Sequence, residues 1–195
     1  MESVRQQIVI SGVGGQGVLF VTRVLALAAM AKGLPVITSE THGMAQRGGT
    51  VVSHLKVGRF YSPLIRPATA DGLLVLKPEN VPIHGDYCKT GAWTVINSPH
   101  GSASSCPGTC CVDADRIAAG LGVPRSANLV LLGAAASSLQ ASGGLFVSVQ
   151  GLRDAVEQSL AGRPDLLEKS MQALEAGVRT QAFPDNEADS QDGKV

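Results

Sequence analysis

The sequence is poor in aromatic residues (4%) and in charged ones (16%), and its 16 basic and 16 acidic side chains cancel to a net charge of zero. That balance removes the electrostatic footprint of a nucleic-acid or acidic-membrane binder, so neither partner is expected. Low charge here does not mean low order. Hydrophobic residues make up 44% of the 195, enough for a buried core and too many for a wholly disordered chain. Long apolar runs are missing as well. The longest, residues 18–31, is broken by Thr22 and Arg23 and falls short of the ~20 residues that cross a bilayer. The opening MESVRQQ lacks the basic start and apolar middle of a secretory signal, which makes the cytoplasm the expected compartment.

Ligand patterns for metals are also absent. Cys106, Cys110 and Cys111 share one short run, but no second pair stands at zinc spacing and no ferredoxin-type repeat accompanies them. His42, His54, His84 and His100 show no ligand spacing and read as structural or surface residues. Neither a G-x-S-x-G elbow nor a P-loop lysine is present. No catalytic residue and no metal site is assigned, and with Cys88 the cysteines are expected to be ordinary thiols.

What is there is an alternation of strand and helix patterns. Residues 7–11 (QIVIS) read as a buried strand, residues 12–17 as a turn, and residues 18–32 as an almost wholly apolar helix. Gly33 falls at the helix C-terminus, Pro35 follows, and residues 35–39 (PVITS) form a second strand. This is the pattern of a βαβ crossover in a parallel sheet. Residues 40–49 read as a polar loop. Residues 50–57 read as a strand pairing with residues 60–64 across Gly58, and residues 71–77 and 92–97 as two further strands. A loop is expected at 98–111 and helices at 114–121, 127–141, 149–160 and 166–180. The expected architecture is a three-layer α/β/α domain with a mostly parallel, Rossmann-like sheet over residues 1–182. Residues 183–195, with four acids and one lysine, are expected to be a disordered tail.

The chemistry concentrates at Gly12-Val-Gly14-Gly15-Gln16-Gly17, a G-x-G-x-x-G turn directly after a strand and opening a helix. Such glycines let backbone N–H groups approach an anion at the positive end of a helix; the alternative is a turn that needs glycine only for its angles and packing. Glu40 stands near the place where a dinucleotide fold puts its ribose-binding acid, so a nicotinamide enzyme using Gly12, Gly14, Gly17 and Glu40 stays open. Arg47, between glycines, is positioned to reach the same anion through bidentate hydrogen bonds.

Three segments in order, GVGGQGVLFVTRVLALAA from Gly12, SETHGMAQRGGTVVSHLKVG from Ser39 and NLVLLGA from Asn128, resemble the gamma-type domain of 2-oxoacid:ferredoxin oxidoreductases. SPLI from Ser62 and ADGLLVLKPE from Ala70 fit between them, and the ETHGMAQRGG wording is similar to the indolepyruvate branch, where this domain is the small subunit. The resemblance implies a role in oxidative decarboxylation of a 2-oxo acid to an acyl-coenzyme A, with electrons passed to ferredoxin. Thiamine diphosphate and the iron–sulfur clusters would sit on a larger partner subunit, coenzyme A would be a co-substrate, and the chain alone would be inactive. The matching positions name Gly12, Gly14, Gly15, Gln16, Gly17, Thr41, His42, Gln46 and Arg47 as the cofactor-facing set. The apolar helices and the loop at 40–49 are expected to form the assembly surface, with homodimerisation expected of the isolated chain. A non-catalytic interaction module, its glycines serving packing, is the remaining alternative.

Overall fold

The computed structural model describes residues 4–42, 49–99, 108–140 and 144–180. The strands are β1 (Gln6–Val13), β2 (Val36–His42), β3 (Thr50–Val57), β4 (Ala70–Val75), β5 (Cys88–Asn97) and β6 (Thr109–Val112). The helices are α1 (Val18–Ala31), α2 (Val81–His84), α3 (Ala114–Gly120), α4 (Ala127–Gln140), α5 (Val149–Ser159) and α6 (Pro164–Val178). The six strands lie in the order β2-β3-β1-β4-β5-β6. Parallel pairs join β1, β4, β5 and β6, whereas β3 is antiparallel to both of its neighbours. Five strands therefore run one way, and the α/β architecture is as expected.

The adjacent βαβ crossover is not formed. β1 and β2 run the same way, but β3 lies between them, pairing Gln6 with Val57 on one side and Val36 with Val57 on the other. Burial explains the insertion. Residues 51–57 of β3 are all buried, as an interior strand requires, whereas β2 carries exposed Thr38, Glu40 and Thr41 and suits an edge. The strand expected at 60–64 is also absent. Pro63 has no N–H to give a ladder, and Phe60 instead lies under two cations, Arg5 at 4.6 Å and Lys56 at 5.2 Å from its centroid. Conversely, β6 occupies the end of what reads as a loop, placing Cys110 and Cys111 in a strand beside β5.

Alternation divides each strand between two faces. Ile8, Ile10, Leu55 and Leu74 point into the large core beneath α1 and α3–α6, and Val9, Leu73, Val75 and Ile96 into a smaller one on the other side. α1 packs on β1–β3 and is covered from outside by α5 and α4. The apolar surface of α4 is covered by α6, where Gly133 and Gly177 let the backbones touch. A Cβ at Gly177 would overlap the Val130 carbonyl oxygen, and one at Gly133 the Leu174 carbonyl oxygen. The helix surfaces expected to seek a partner are thus mostly buried within the chain. On α1 only Leu19 and Met30 remain as exposed large apolar residues.

Candidate functional site at the glycine turn

The chain order reverses across the sheet between β1 and β4: β2 and β3 lie on one side of β1, and β4–β6 on the other. Open α/β sheets bind ligands at such a switch point, beyond the carboxyl ends of the strands. The glycine turn sits there. Gly12 is the penultimate residue of β1 and packs so closely that a Cβ would meet Val18, Gln16 and Leu76. Gly15 (φ 93°) and Gly17 (φ 80°) hold left-handed backbone, which an L side chain strains to adopt. A Cβ at Gly17 would strike the Asn128 amide, whereas one at Gly15 meets nothing within 4 Å.

Not all of the turn's donors are free. Gly14 N–H is bonded to Gly49 O at 3.1 Å and Gln16 N–H to Val13 O at 3.1 Å. The Gln16 side chain closes the turn from within, accepting from Val13 N at 2.9 Å and donating to Leu76 O at 3.2 Å. Gln16 braces the loop, and Gly15 faces open space.

A cavity of about 190 Å³ opens beside Gly15 and Gln16, lined further by Asn97, Asp115, Arg125 and Asn128. Asn97 ends β5 and is fully engaged: its amide donates to Asp115 Oδ2 at 2.9 Å and to Leu76 O at 3.3 Å, and its oxygen accepts from Ala114 N at 3.0 Å. Asn128 reaches across from the start of α4 toward Gly17 O at 3.5 Å. Sequence reasoning missed Asn97, Asp115 and Arg125 as members of this cavity; the available signal was their place at strand and helix ends on the carboxyl side of the sheet. On the other flank of the turn, Val13, Val18, Leu19, Phe20 and Val51 line a more apolar depression.

Thr41 and His42 end β2, not a loop, on the edge strand. Gln46 and Arg47 lie outside the described residues. Glu40 is exposed on β2, two strands from β1 and so about 10 Å away across the sheet at the usual strand spacing. A nicotinamide site needs that acid on the strand next to the turn, a place that β3 occupies here.

Beneath the turn, on the thinner face, lies a buried polar network. Asn80 donates to Gly12 O at 2.8 Å and to Ser11 Oγ at 3.0 Å, and Ser11 Oγ is 2.7 Å from His84 Nδ1. The hydroxyl oxygen can accept from Asn80 while its second lone pair or its proton meets Nδ1, the direction following the His84 tautomer. Burial lowers the His84 pKa below 6.5, and burial followed by the neighbouring His84 and Lys56 lowers that of His54. Tyr87 packs against both rings. Among the cysteines, burial followed by Cys111 pushes the Cys110 thiol up to about 12. Among the described residues no cluster of three or more His, Cys, Asp or Glu is placed to hold a metal.

A largely parallel α/β sheet with a glycine turn and a cavity at its switch point defines an α/β domain of the Rossmann-like class. More narrowly, the chain belongs to the pyruvate ferredoxin/flavodoxin oxidoreductase family, whose model matches residues 7–180. It is similar to an indolepyruvate oxidoreductase subunit IorB of Archaeoglobus fulgidus, 42% identical over 94 residues, a stretch covering 48% of this chain and 47% of that relative. The match thus spans about half the length of that relative. A subunit of the same name from Thermococcus kodakarensis is 28% identical over 88% of this chain and 94% of its own. Among solved structures, a keto/oxoacid ferredoxin oxidoreductase gamma subunit from Geobacter sulfurreducens superposes with a TM-score of 0.68 at 25% identity, covering 88% of this chain and 95% of that one. The fold is shared too with a 2-oxoglutarate:ferredoxin oxidoreductase from Magnetococcus marinus (TM-score 0.73, 22% identity), of which it covers 32%.

Proposed function

We propose that this chain is the small, gamma-type subunit of a cytoplasmic, thiamine diphosphate-dependent 2-oxoacid:ferredoxin oxidoreductase acting on indolepyruvate or a related aryl pyruvate. Its named relatives support the class. The observation that carries a ligand-facing role is the cavity at the switch point, where Gly15 borders Arg125 and Asn128. Thiamine and iron–sulfur chemistry belongs to a larger partner subunit. Cys88, Cys110 and Cys111 lie on β5 and β6, and among the described residues they do not gather with other ligands into a group of three or more. When bound to the partner, those groups supply decarboxylation and one-electron transfer.

The residues of this chain hold and orient. Arg125 and the Asn128 amide offer positive charge and a donor to a coenzyme A phosphate, with Gly15 keeping the approach clear. Asp115, fixed by Asn97, keeps the anion toward the arginine side. Gln46 and Arg47 are proposed to join them in holding that ligand in the assembled complex.

A second reading, an interaction module without a ligand, is favoured by the packing duties of Gly12, Gln16 and Gly17. Gly15 separates the two. Gly15→Asn tolerates left-handed backbone and projects a side chain into the open space. In the reconstituted complex it is expected to raise the apparent KM for coenzyme A at least tenfold with the subunit still bound. An unchanged KM in a correctly assembled variant complex would leave the interaction module as the better account.

A further inference from the structure

A second cavity, of about 220 Å³, lies between the start of α4 and the turn joining α5 to α6. The oxidoreductase reading makes no use of it as a binding site. Arg125 and Arg163 stand at its rim, both exposed, and no carboxylate lines it. Neither guanidinium has an ion-pair partner among the described residues. Ser126 (9% exposed) and Ser170 (3% exposed) also line the space, and neither hydroxyl forms a hydrogen bond among the described residues. Neither hydroxyl oxygen is sealed from solvent without a partner, so both open onto the cavity and, with the two unpaired guanidiniums, offer donors to an acceptor that enters it.

The walls narrow the choice of acceptor. Phe20, Leu129, Leu160 and Leu166 supply the apolar part of the lining, and Leu166, one helical turn before Ser170 on α6, is 43% exposed at the edge. Backbone donors contribute little, because the Leu129 N–H is already held by Asn128 Oδ1 at 2.8 Å. The frame is fixed from both sides by Ser126 N–H to Val123 O at 2.8 Å and Arg163 N–H to Leu160 O at 3.0 Å. Apolar walls penalise a dianion more than a monoanion, and the cavity is smaller than the ~300–1,000 Å³ of sites that take drug-sized ligands.

The geometry points to a site for a small amphiphilic monocarboxylate, its apolar ring or branched body against Phe20, Leu160 and Leu166. Its carboxylate takes Arg163 and Arg125 from outside and the Ser126 and Ser170 hydroxyls from within. Arg125 borders both cavities, whereas Arg163, Ser126 and Ser170 line this one and not the cavity proposed for coenzyme A, so variants at Arg163 and Ser170 test this site separately from the oxidoreductase reading.

Titration of the full chain with phenylacetate, followed by amide resonances and by calorimetry, tests it. Saturable binding is expected, with shifts concentrated around Ser126, Arg163 and Ser170. 2-Phenylethanol, which keeps the ring and loses the charge, should bind at least tenfold more weakly, and so should inorganic phosphate. Arg163→Gln, at an exposed position that leaves folding intact, should weaken phenylacetate at least tenfold, and Ser170→Val should do the same by removing the inner donor. Absence of saturable binding overturns the proposal. So does equal affinity for 2-phenylethanol, which would mean a merely apolar cleft, or for phosphate, which would mean a bare anion site. Unchanged affinity in Arg163→Gln overturns it even where Ser170→Val fails to fold.

Discussion

On the face of the sheet that carries α1 and α3–α6, the interior is built from Ile, Val, Leu and Ala, with helices close enough for Gly133 and Gly177 to meet backbone. On the opposite face the cover is the short α2 with its flanking turns and residues near Ile65, and the interior includes Ser11, His54, Asn80 and His84. The first face is held by shape and apolar area, where each fully buried Leu or Ile is worth about 1.5–3 kcal/mol. The second is held by a chain of hydrogen bonds that ends on the carbonyl of Gly12, the first glycine of the turn after β1. Packing thus secures the scaffold, and a polar network ties the turn to it.

The sharpest way to break the first face is Gly177→Ala. Its Cβ would overlap the Val130 carbonyl oxygen, so α4 and α6 must separate. A loss of about 3 kcal/mol is expected, a fall on the order of 10 °C in thermal midpoint for a chain of this size. A midpoint within a degree or two of the parent would show that the helices are not packed as closely as described.

Asn80→Ala breaks the second face instead. It removes the Asn80 donor from the Gly12 carbonyl and from the Ser11 hydroxyl, which keeps only His84, for an expected cost of about 2 kcal/mol. It should also loosen the turn, so amide exchange at residues 12–17 is expected to quicken more than exchange in α4. Uniform quickening would reduce Asn80 to an ordinary core residue.

The smallest effect comes from pH. His54 and His84 have pKa values held below 6.5 in the folded state, so below about pH 6.5 the unfolded chain binds protons that the folded chain resists. Their contribution is intact above that value and is lost as pH falls through the folded-state pKa values. The groups facing them are Tyr87, Ser11 and Lys56, none of which offers a carboxylate to offset protonation. The thermal midpoint should fall between pH 7 and pH 5, and His84→Gln should flatten that slope. A slope identical in the variant would place the titration elsewhere.

The same contrast separates what was legible in the sequence from what was not. QIVIS, the turn glycines, α1, α4 and the amphipathic α5 and α6 announce themselves through apolar period and glycine placement. That α4 is apolar nearly all round showed that something covers it, but not that α6 does. TVVSHLKV reads as a strand, yet nothing local states that it inserts antiparallel between β1 and β2, because sheet order is decided by which strand needs both faces buried. The polar network was invisible for a related reason. Ser, Asn and His are usually surface residues, and only their convergence beneath the turn makes them structural. Of the candidate site, the turn was legible and the cavity wall from β5, α3 and α4 was not, since Asn97, Asp115, Arg125 and Asn128 meet only through the sheet topology.

The role proposed for this chain is that of a subunit acting with a larger thiamine- and cluster-bearing partner. The direct measurement is dye-coupled oxidation of an aryl pyruvate with thiamine diphosphate and coenzyme A, run on the purified chain, on the larger thiamine- and cluster-bearing subunit, and on the two co-purified. The account predicts no turnover above blank from the chain alone, and coenzyme A-dependent turnover only from the complex. Turnover by the chain alone, or a complex that never forms at concentrations where both proteins are folded, would contradict it.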